Sequence, residues 1–469
     1  MFQIGLLDPG SKKLTEPMPH IGLAYVAAFL EKEGCSVRVL DTAVATADEK
    51  QSFLNTSFDL LGITVTSFTF RDALQLAKEI KTIHPEQRIV LGGPHTTIDK
   101  DDVLKDFTFD YAIYGEGEIT MSMLAKTLAE FRVPSTEVLK EINGLIFRDG
   151  SDIIVNPPRQ RIQDLNTLPF PAYHLFPMDR YEVYPLLISR GCPFDCAFCA
   201  AHVIWGRKWR GREAHNVIEE IKYLFTHFGE KMVAVCDDTF NANIKRAKIF
   251  CEMLIESKLP IRWSSWSFRA DLADPTLLKL MKQSGCESVS IGIESADPQV
   301  LQNIHKRETI EEIAQGIRRI QEAELLVTGL FMIGNPGDTL ETIKKSINFA
   351  ATMKLDNADF FLALPYPKTE LWQYAQEKSR MLKTDYTTFH HFSDEPVFET
   401  TEFPAADRQR AYQMARRFSL TNRLKRSLVR KLRYRLKEGR YRNPQLLIHD
   451  MRKLFKTVSD LVLWRIPRI

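Results

Sequence analysis

The chain has 469 residues, 44% of them hydrophobic and 26% charged, with a formal net charge of +3. That length exceeds what one core usually serves, so two or three domains are expected, and the composition is that of an ordinary soluble globular protein. No apolar run is long enough to span a bilayer. Seven cysteines, three of them within eight residues, fit metal binding in a reducing cytoplasm and exclude a disulfide framework.

The opening Met-Phe-Gln-Ile-Gly-Leu-Leu-Asp predicts a buried strand running into a loop. It has no basic start and no small-residue cleavage site, so a signal peptide is not expected. Apolar runs at 2–7, 37–40, 60–65, 89–91 and 111–114 predict five strands, with helical patterns near 21–33, 71–83 and 119–131. This alternation predicts a doubly wound α/β domain over residues 1–140, a parallel sheet covered on both faces. Ligands of such sheets sit outside the carboxyl ends of the strands. The loops there, DPGSKK, TVTSF, LGGPHTT and YGEGE, are rich in Gly, Ser, Thr or Pro, which lets backbone come close to a ligand.

Residues 141–181 contain a hairpin, GLIFRDGSDIIV, turning at Asp149-Gly150, and a proline-bearing connector, NPPRQRIQDLNTLPFPAY, expected to link two domains. A second alternating series fills 182–395. Its strands are expected at 185–189, 232–236, 261–265, 288–293, 326–333 and 358–362, and its helices at 217–228, 245–257, 276–284, 310–323 and 340–353. Six βα units predict a partial (β/α)6 barrel of the TIM type, open on one side, with its chemistry where strands run into their following loops. From 396 to 469 the pattern becomes helical and basic.

The strongest motif is SRGCPFDCAFCAAH, which spaces Cys192, Cys196 and Cys199 as C-x3-C-x2-C directly after the first strand of the second series. Iron–sulfur clusters are held by Cys thiolates, commonly four. Three cysteines leave one iron open to a small molecule. A zinc site with His202 as fourth ligand is the alternative. The other cysteines, Cys35, Cys236, Cys251 and Cys286, are expected to be small buried hydrophobes.

On this motif the chain resembles the radical S-adenosylmethionine superfamily over about residues 184–364. The resemblance implies a [4Fe-4S] cluster whose open iron chelates the amino and carboxyl groups of S-adenosylmethionine. Reductive cleavage would then yield a 5′-deoxyadenosyl radical that abstracts a substrate hydrogen. It also implies contacts to that cofactor. Phe198 is expected near the adenine. Asp238 is expected at the amino group, unless it caps the following helix. Ser267 and Arg269 end the third strand, and Arg269 is set to meet the carboxylate unless it forms a surface ion pair. Glu294 is expected at the ribose or the amine, and Gly334 and Pro336 along the adenine.

The first domain, through PHIGLAYVAAFLEKEG, LGITVTSFTFRDAL, IVLGGPHTT and YAIYGEGE, resembles the cobalamin-binding domain of cobalamin-dependent radical enzymes. That resemblance implies a Rossmann-like cobalamin domain with Thr64, Ser67, Gly92, Gly93, Gly115 and Glu116 around the cofactor. A D-x-H-x-x-G element is absent, so no axial histidine is expected from it, and His95 either lines the pocket or bonds locally to backbone. A similar sheet without a cofactor is the alternative. The general layout also resembles methylthiotransferases of transfer RNA, but their three further amino-terminal cysteines are missing here.

Residues 405–469 hold 19 Lys and Arg against four Asp and Glu. Leu420, Leu424, Leu428 and Leu432 form an apolar stripe beside a cationic face, and the chain closes LVLWRIPRI. Such a helix either packs its stripe on the barrel or lies on an anionic membrane surface; no nucleic-acid motif supports a third reading. The resemblance as a whole implies a cobalamin-dependent radical enzyme that methylates an unactivated carbon of a small-molecule or lipid-like substrate. The implied electron donor is a flavodoxin or ferredoxin, in the cytoplasm or at the inner face of the membrane. A radical cyclase or rearrangement enzyme, a transfer RNA modifier and a non-catalytic metal-binding module are the other readings; no individual catalytic residue is assigned.

Overall fold

The computed structural model describes residues 1–10, 17–391 and 393–438, the side chains of 427–438 excepted. The first sheet has seven strands: β1 (Gln3–Asp8), β2 (Ser36–Asp41), β3 (Leu60–Thr64), β4 (Ile89–Gly92), β5 (Tyr111–Ile113), β6 (Leu145–Asp149) and β7 (Asp152–Val155). Their order is β2-β1-β3-β4-β5-β6-β7. The first five are parallel. Both faces are covered, so the central strands are mostly apolar, and β3 is buried at every residue. Helices Ala47–Leu54 and Phe70–Ile83 pack on one face, and Ile21–Lys32 and Gly117–Glu130 on the other. Part of the expected DPGSKK loop, residues 11–13, lies outside the described residues.

The hairpin does not stand between the domains. It joins the sheet, β6 running antiparallel to β5 with Tyr111 opposite Phe147. The cause is its apolar run: Ile146 packs in one of the two cores and Leu145 and Phe147 in the other, so β6 is dressed for both faces. Helix Ala47–Leu54 was not foreseen from its weak apolar pattern. Its start is nonetheless marked, because Thr46 and Glu49 form a reciprocal capping box.

The second sheet contains β8 (Val183–Leu186), β11 (Met232–Val235), β12 (Trp263–Phe268), β13 (Cys286–Glu294), β14 (Leu326–Ile333) and β15 (Asn357–Leu362), all parallel, in the order β15-β14-β13-β12-β11-β8. Short β9 (Ser189–Arg190) and β10 (Arg210–Gly211) pair beside it, as do β16 (Arg380–Met381) and β17 (Phe398–Glu399). The outer strands β8 and β15 do not pair with each other, so the barrel is open. Burial alternates along β14, with its buried residues packed into the barrel core and their neighbours half-buried.

Helix Ala405–Glu438 lies along the edge strand β15. Ala411 and Ala415 are fully buried, Phe418 meets Phe360 edge-on, and Asn422 donates to the Leu355 carbonyl. Covering an exposed strand edge is a standard way to prevent mispairing. Leu420 and Leu424 are half-buried and stand two residues beyond the barrel-facing Phe418 and Asn422, which at 3.6 residues per turn turns the first part of the apolar stripe away from that contact face. The side chains of Leu428 and Leu432, and all of LVLWRIPRI, lie outside the described residues. Among the described residues no helix is long and apolar enough to cross a membrane.

Candidate functional site

The cysteine loop leaves β9 at the carboxyl rim of the barrel. Two backbone bonds and an ion pair fix its course. The Gly191 amide donates to Asp238 Oδ2 at 3.0 Å, the Ala197 amide donates to the Ile304 carbonyl at 2.9 Å, and Asp195 pairs with Arg307. Cys192 Sγ lies 3.3 Å from Thr239 Oγ1, and Cys199 Sγ accepts from the Ala201 amide. Burial pushes the Cys196 thiol up, opposed by Lys306, and the Cys199 thiol to about 12; Cys192 adds to both shifts and Cys196 to that of Cys199. Among the described residues no three His, Cys, Asp or Glu side chains are gathered tightly enough to hold a metal ion. The three thiols nonetheless share one loop and one electrostatic neighbourhood. Such a donor set fits a group that brings positive charge to its centre, since metal binding drives thiols to thiolates.

Around the loop the strand ends converge. Asp238 follows β11 and is not a helix cap; Asn243 caps the helix Ile244–Ser257 instead. Burial raises the Asp238 carboxyl, opposed by the Gly191 amide. Ser267 donates to the Asp238 carbonyl. Arg269 is buried, not on the surface. It pairs with Asp271 at 3.0 Å and Glu308 at 3.4 Å, and lies 3.8 Å from the centroid of Phe194 in the cysteine loop. Glu294 ends β13 with φ +65°, an unusual conformation for a residue with a side chain and one that clusters at functional sites. Its carboxylate is 3.8 Å from Lys306 Nζ, which also sits 3.3 Å from Glu308. Burial alone would lower Lys306, but Glu294 and Glu308 outweigh it and hold its pKa above the usual value. Its neighbours His305 and Arg307 both have positive φ, so the backbone is bent to turn this lysine inward.

A slot of about 860 Å³, mouth included, opens at the carboxyl edge of the first sheet. Leu6, Ile63, Val90, Leu91 and Met121 make it apolar, and Thr64, Gly92, Gly93, Gly115 and Glu116 line it. A Cβ on Gly92 or Gly115 would meet no atom within 4 Å, so these glycines leave open a cradle that side chains would fill. Gly93 has φ +103°, and a Cβ there would stand 2.8 Å from the Val65 carbonyl; the close approach of the two loops requires glycine. The far wall comes from the second domain: Leu187, Arg190, Ile204 and Trp205.

Residues 186–350 match the radical SAM superfamily and residues 11–125 match the B12 binding domain. An uncharacterized methyltransferase of Pyrococcus horikoshii is 34% identical over 81% of this chain and 85% of its own length. The anaerobic magnesium-protoporphyrin IX monomethyl ester cyclase of Cereibacter sphaeroides is 26% identical over 81% of this chain and 64% of its own length. In fold, the chain is similar to the radical S-adenosylmethionine methyltransferase TsrM from Kitasatospora setae with cobalamin and a [4Fe-4S] cluster bound. Its TM-score is 0.69 at 19% identity, covering 87% of this chain and 81% of that one. The chain belongs to the radical SAM superfamily.

This radical SAM enzyme carries a cobalamin-binding domain ahead of its barrel, and its cofactors are S-adenosylmethionine, a [4Fe-4S] cluster and cobalamin. Several expected contacts are already engaged within the protein. Glu116 pairs with Arg190 and Arg210 and accepts from the Ile162 amide; burial alone would raise its carboxyl, and the two arginines outweigh it. Ser67 is not in the slot wall but lies 3.3 Å from His95 Nδ1. His95 is fully buried against Phe70 and Tyr386, and burial lowers its pKa to about 4. Phe198 is half-buried between the barrel core and a smaller cluster that includes Met332 and Tyr366. Gly334 has φ +102°, and a Cβ there would strike the Arg408 guanidinium at 2.5 Å, so the loop yields to the carboxy-terminal helix. The Pro336 carbonyl accepts from Asn303.

Lys306 and Arg190 were missed from sequence. Lys306 lies in an unremarkable helix-to-helix turn, and Arg190 in the cysteine motif has partners more than 70 residues away.

Proposed function

We propose that the enzyme methylates an unactivated carbon of a small-molecule substrate, with Cys192, Cys196 and Cys199 holding the cluster. One observation carries this reading: the cysteine loop at the rim of the barrel and the glycine-lined slot at the edge of the cobalamin-type sheet share a wall through Arg190 and Trp205. When bound, the cluster and S-adenosylmethionine supply a 5′-deoxyadenosyl radical and cobalamin supplies a methyl carrier. The protein's own groups orient them. Asp238 and Glu294 are anions suited to the cofactor's amine. Lys306 is a buried cation suited to its carboxylate, a role the sequence suggested for Arg269. Thr64, Gly92, Gly93 and Gly115 leave room for cobalamin.

Anaerobic reconstitution tests the reading. The native chain should take up about four iron per chain, bind hydroxocobalamin, release 5′-deoxyadenosine and methylate its substrate. Cys192→Ala, Cys196→Ala and Cys199→Ala should each lose the brown absorbance and the release of 5′-deoxyadenosine. Retained cleavage in all three rejects the ligand assignment. A radical cyclase is the second reading, favoured by the similarity to the Cereibacter protein; a product without an added methyl group would select it. Reduction calls for an external flavodoxin or ferredoxin. The exposed cations Arg416, Arg417, Arg423 and Lys425 support a peripheral contact with anionic membrane. A chain with Arg416, Arg417, Arg423 and Lys425 each changed to Gln, compared with the native chain in vesicle co-sedimentation at low and high salt, tests it.

A further inference from the structure

Two loops assigned to different cofactors grip one buried cation. Arg190 stands two residues before Cys192. Its guanidinium donates to Glu118 Oε1 at 2.6 Å and to Glu116 Oε1 at 3.3 Å, and lies 5.2 Å and 5.4 Å from the ring centroids of Tyr25 and Trp205. The three charged side chains are at most 5% exposed. Arg210 completes the group, 2.8 Å from Glu116. Glu116 and Glu118 begin the helix Gly117–Glu130 and line the apolar slot.

The slot wall and the cysteine loop are also continuous in the chain. Leu187 and Arg190 precede the first cysteine, and Ile204 and Trp205 follow the third. The loop is therefore bracketed by two stretches of slot wall. Charges excluded from water tolerate little displacement, because separating them leaves each one buried and unpaired. Ordering the cysteine loop fixes Arg190, and Arg190 fixes the Glu116–Glu118 turn. A slot ordered in advance loses less conformational entropy when its ligand arrives.

We propose that Arg190 is a positioning residue coupling the two cofactor sites, so that loading the cluster preorders the cobalamin slot and cobalamin in turn tightens the cluster loop. This rests on the cofactor assignments above. Linkage makes the coupling reciprocal.

Hydroxocobalamin is titrated by its visible absorbance into the full-length chain, once free of cluster and once after anaerobic reconstitution. The cluster-loaded chain should bind at least about fivefold more tightly, the lower end of usual coupling between sites. Arg190→Gln combined with Glu118→Gln removes one cation and one anion together, and Glu116 keeps Arg210. In that variant the ratio should fall to within about twofold of unity, with iron content and circular dichroism retained. Arg190→Lys preserves the buried charge but not the two-pronged contact, and serves if the double variant does not fold; its ratio should fall at least about threefold. An unaltered ratio in the folded variants overturns the proposal, as does equal affinity in the two states of the native chain. A native chain that binds no hydroxocobalamin in either state rejects the cobalamin assignment itself, and this inference falls with it.

Discussion

Lys306 lies between Glu294 and Glu308 with all three side chains shielded from water. Deleting the cation strands the buried Glu294 carboxylate, while Glu308 keeps Arg269, and breaking a buried pair costs about 3–5 kcal/mol. Lys306→Met is therefore expected to lose about that much in denaturant unfolding. Arg307→Ala next door removes an ion pair whose arginine is 67% exposed, and should change stability by less than about 1 kcal/mol. His95 makes a pH prediction. Its folded pKa, about 4, lies below the ordinary value, so between the two the unfolded chain binds the extra proton. The stabilising contribution is complete above about pH 6.5 and is lost as pH falls toward 4. Going from pH 7 to pH 5 should cost the native chain about 2 kcal/mol more than it costs His95→Phe; an equal loss in both would reject the assignment. The positions of Asp238 and Glu294 at strand ends were legible in the sequence, because the apolar runs mark where each strand gives way to its loop. Arg190 and Lys306 were not, since Glu116 and Glu118 reach the first and Glu294 reaches the second only through the fold.

The helix Ala405–Glu438 combines two behaviours. Its first turns are held by Arg408, whose guanidinium donates to the Phe403 and Gly334 carbonyls and stacks on Phe398. Burial lowers the Arg408 pKa to about 10. Further on, Ala411, Ala415 and Phe418 seal β15. A chain ending at Arg426 is expected to keep its melting temperature within about 4 °C, whereas one ending at Phe403 should bare the edge strand and aggregate. Light scattering and thermal melts of the two truncations decide this. Sequence periodicity announced the helix and its apolar stripe but left open what the stripe meets, because packing on a barrel and lying on a membrane need the same pattern. The hairpin was equally visible as a hairpin. Its place in the first sheet follows from the apolar run Leu145-Ile146-Phe147 facing two cores, and the run alone does not name the strand it pairs with.

Across the molecule, the two domains are joined by charge buried at their boundary. Arg212 pairs with Glu220 and donates to Tyr25 Oη, while Tyr173 donates to Glu220 Oε1 at 2.7 Å. Tyr181 donates to Asp41 Oδ2 at 2.7 Å on the other side. Calorimetry of the native chain should show one transition. Arg212→Met strands the fully buried Glu220 charge, costing about 3–5 kcal/mol, and should split the transition in two. Arg212→Met with Glu220→Met should restore most of the loss, since apolar replacement of a whole buried pair is often neutral. The two-domain plan was legible because each half repeats its own strand–helix alternation. The boundary was not, for its residues come from the first helix, the connector and the barrel at once.

The cover on β15 also has a timetable. The strand ends at Leu362 and its seal begins at Ala405, so a ribosome must add some forty residues after the last barrel strand before that edge can be closed. Throughout that interval the nascent barrel presents unpaired backbone to its surroundings, the condition under which incomplete sheets pair with the wrong partner. Slow decoding between those two points would lengthen the exposure, and a chaperone acting on this chain would find its opening there.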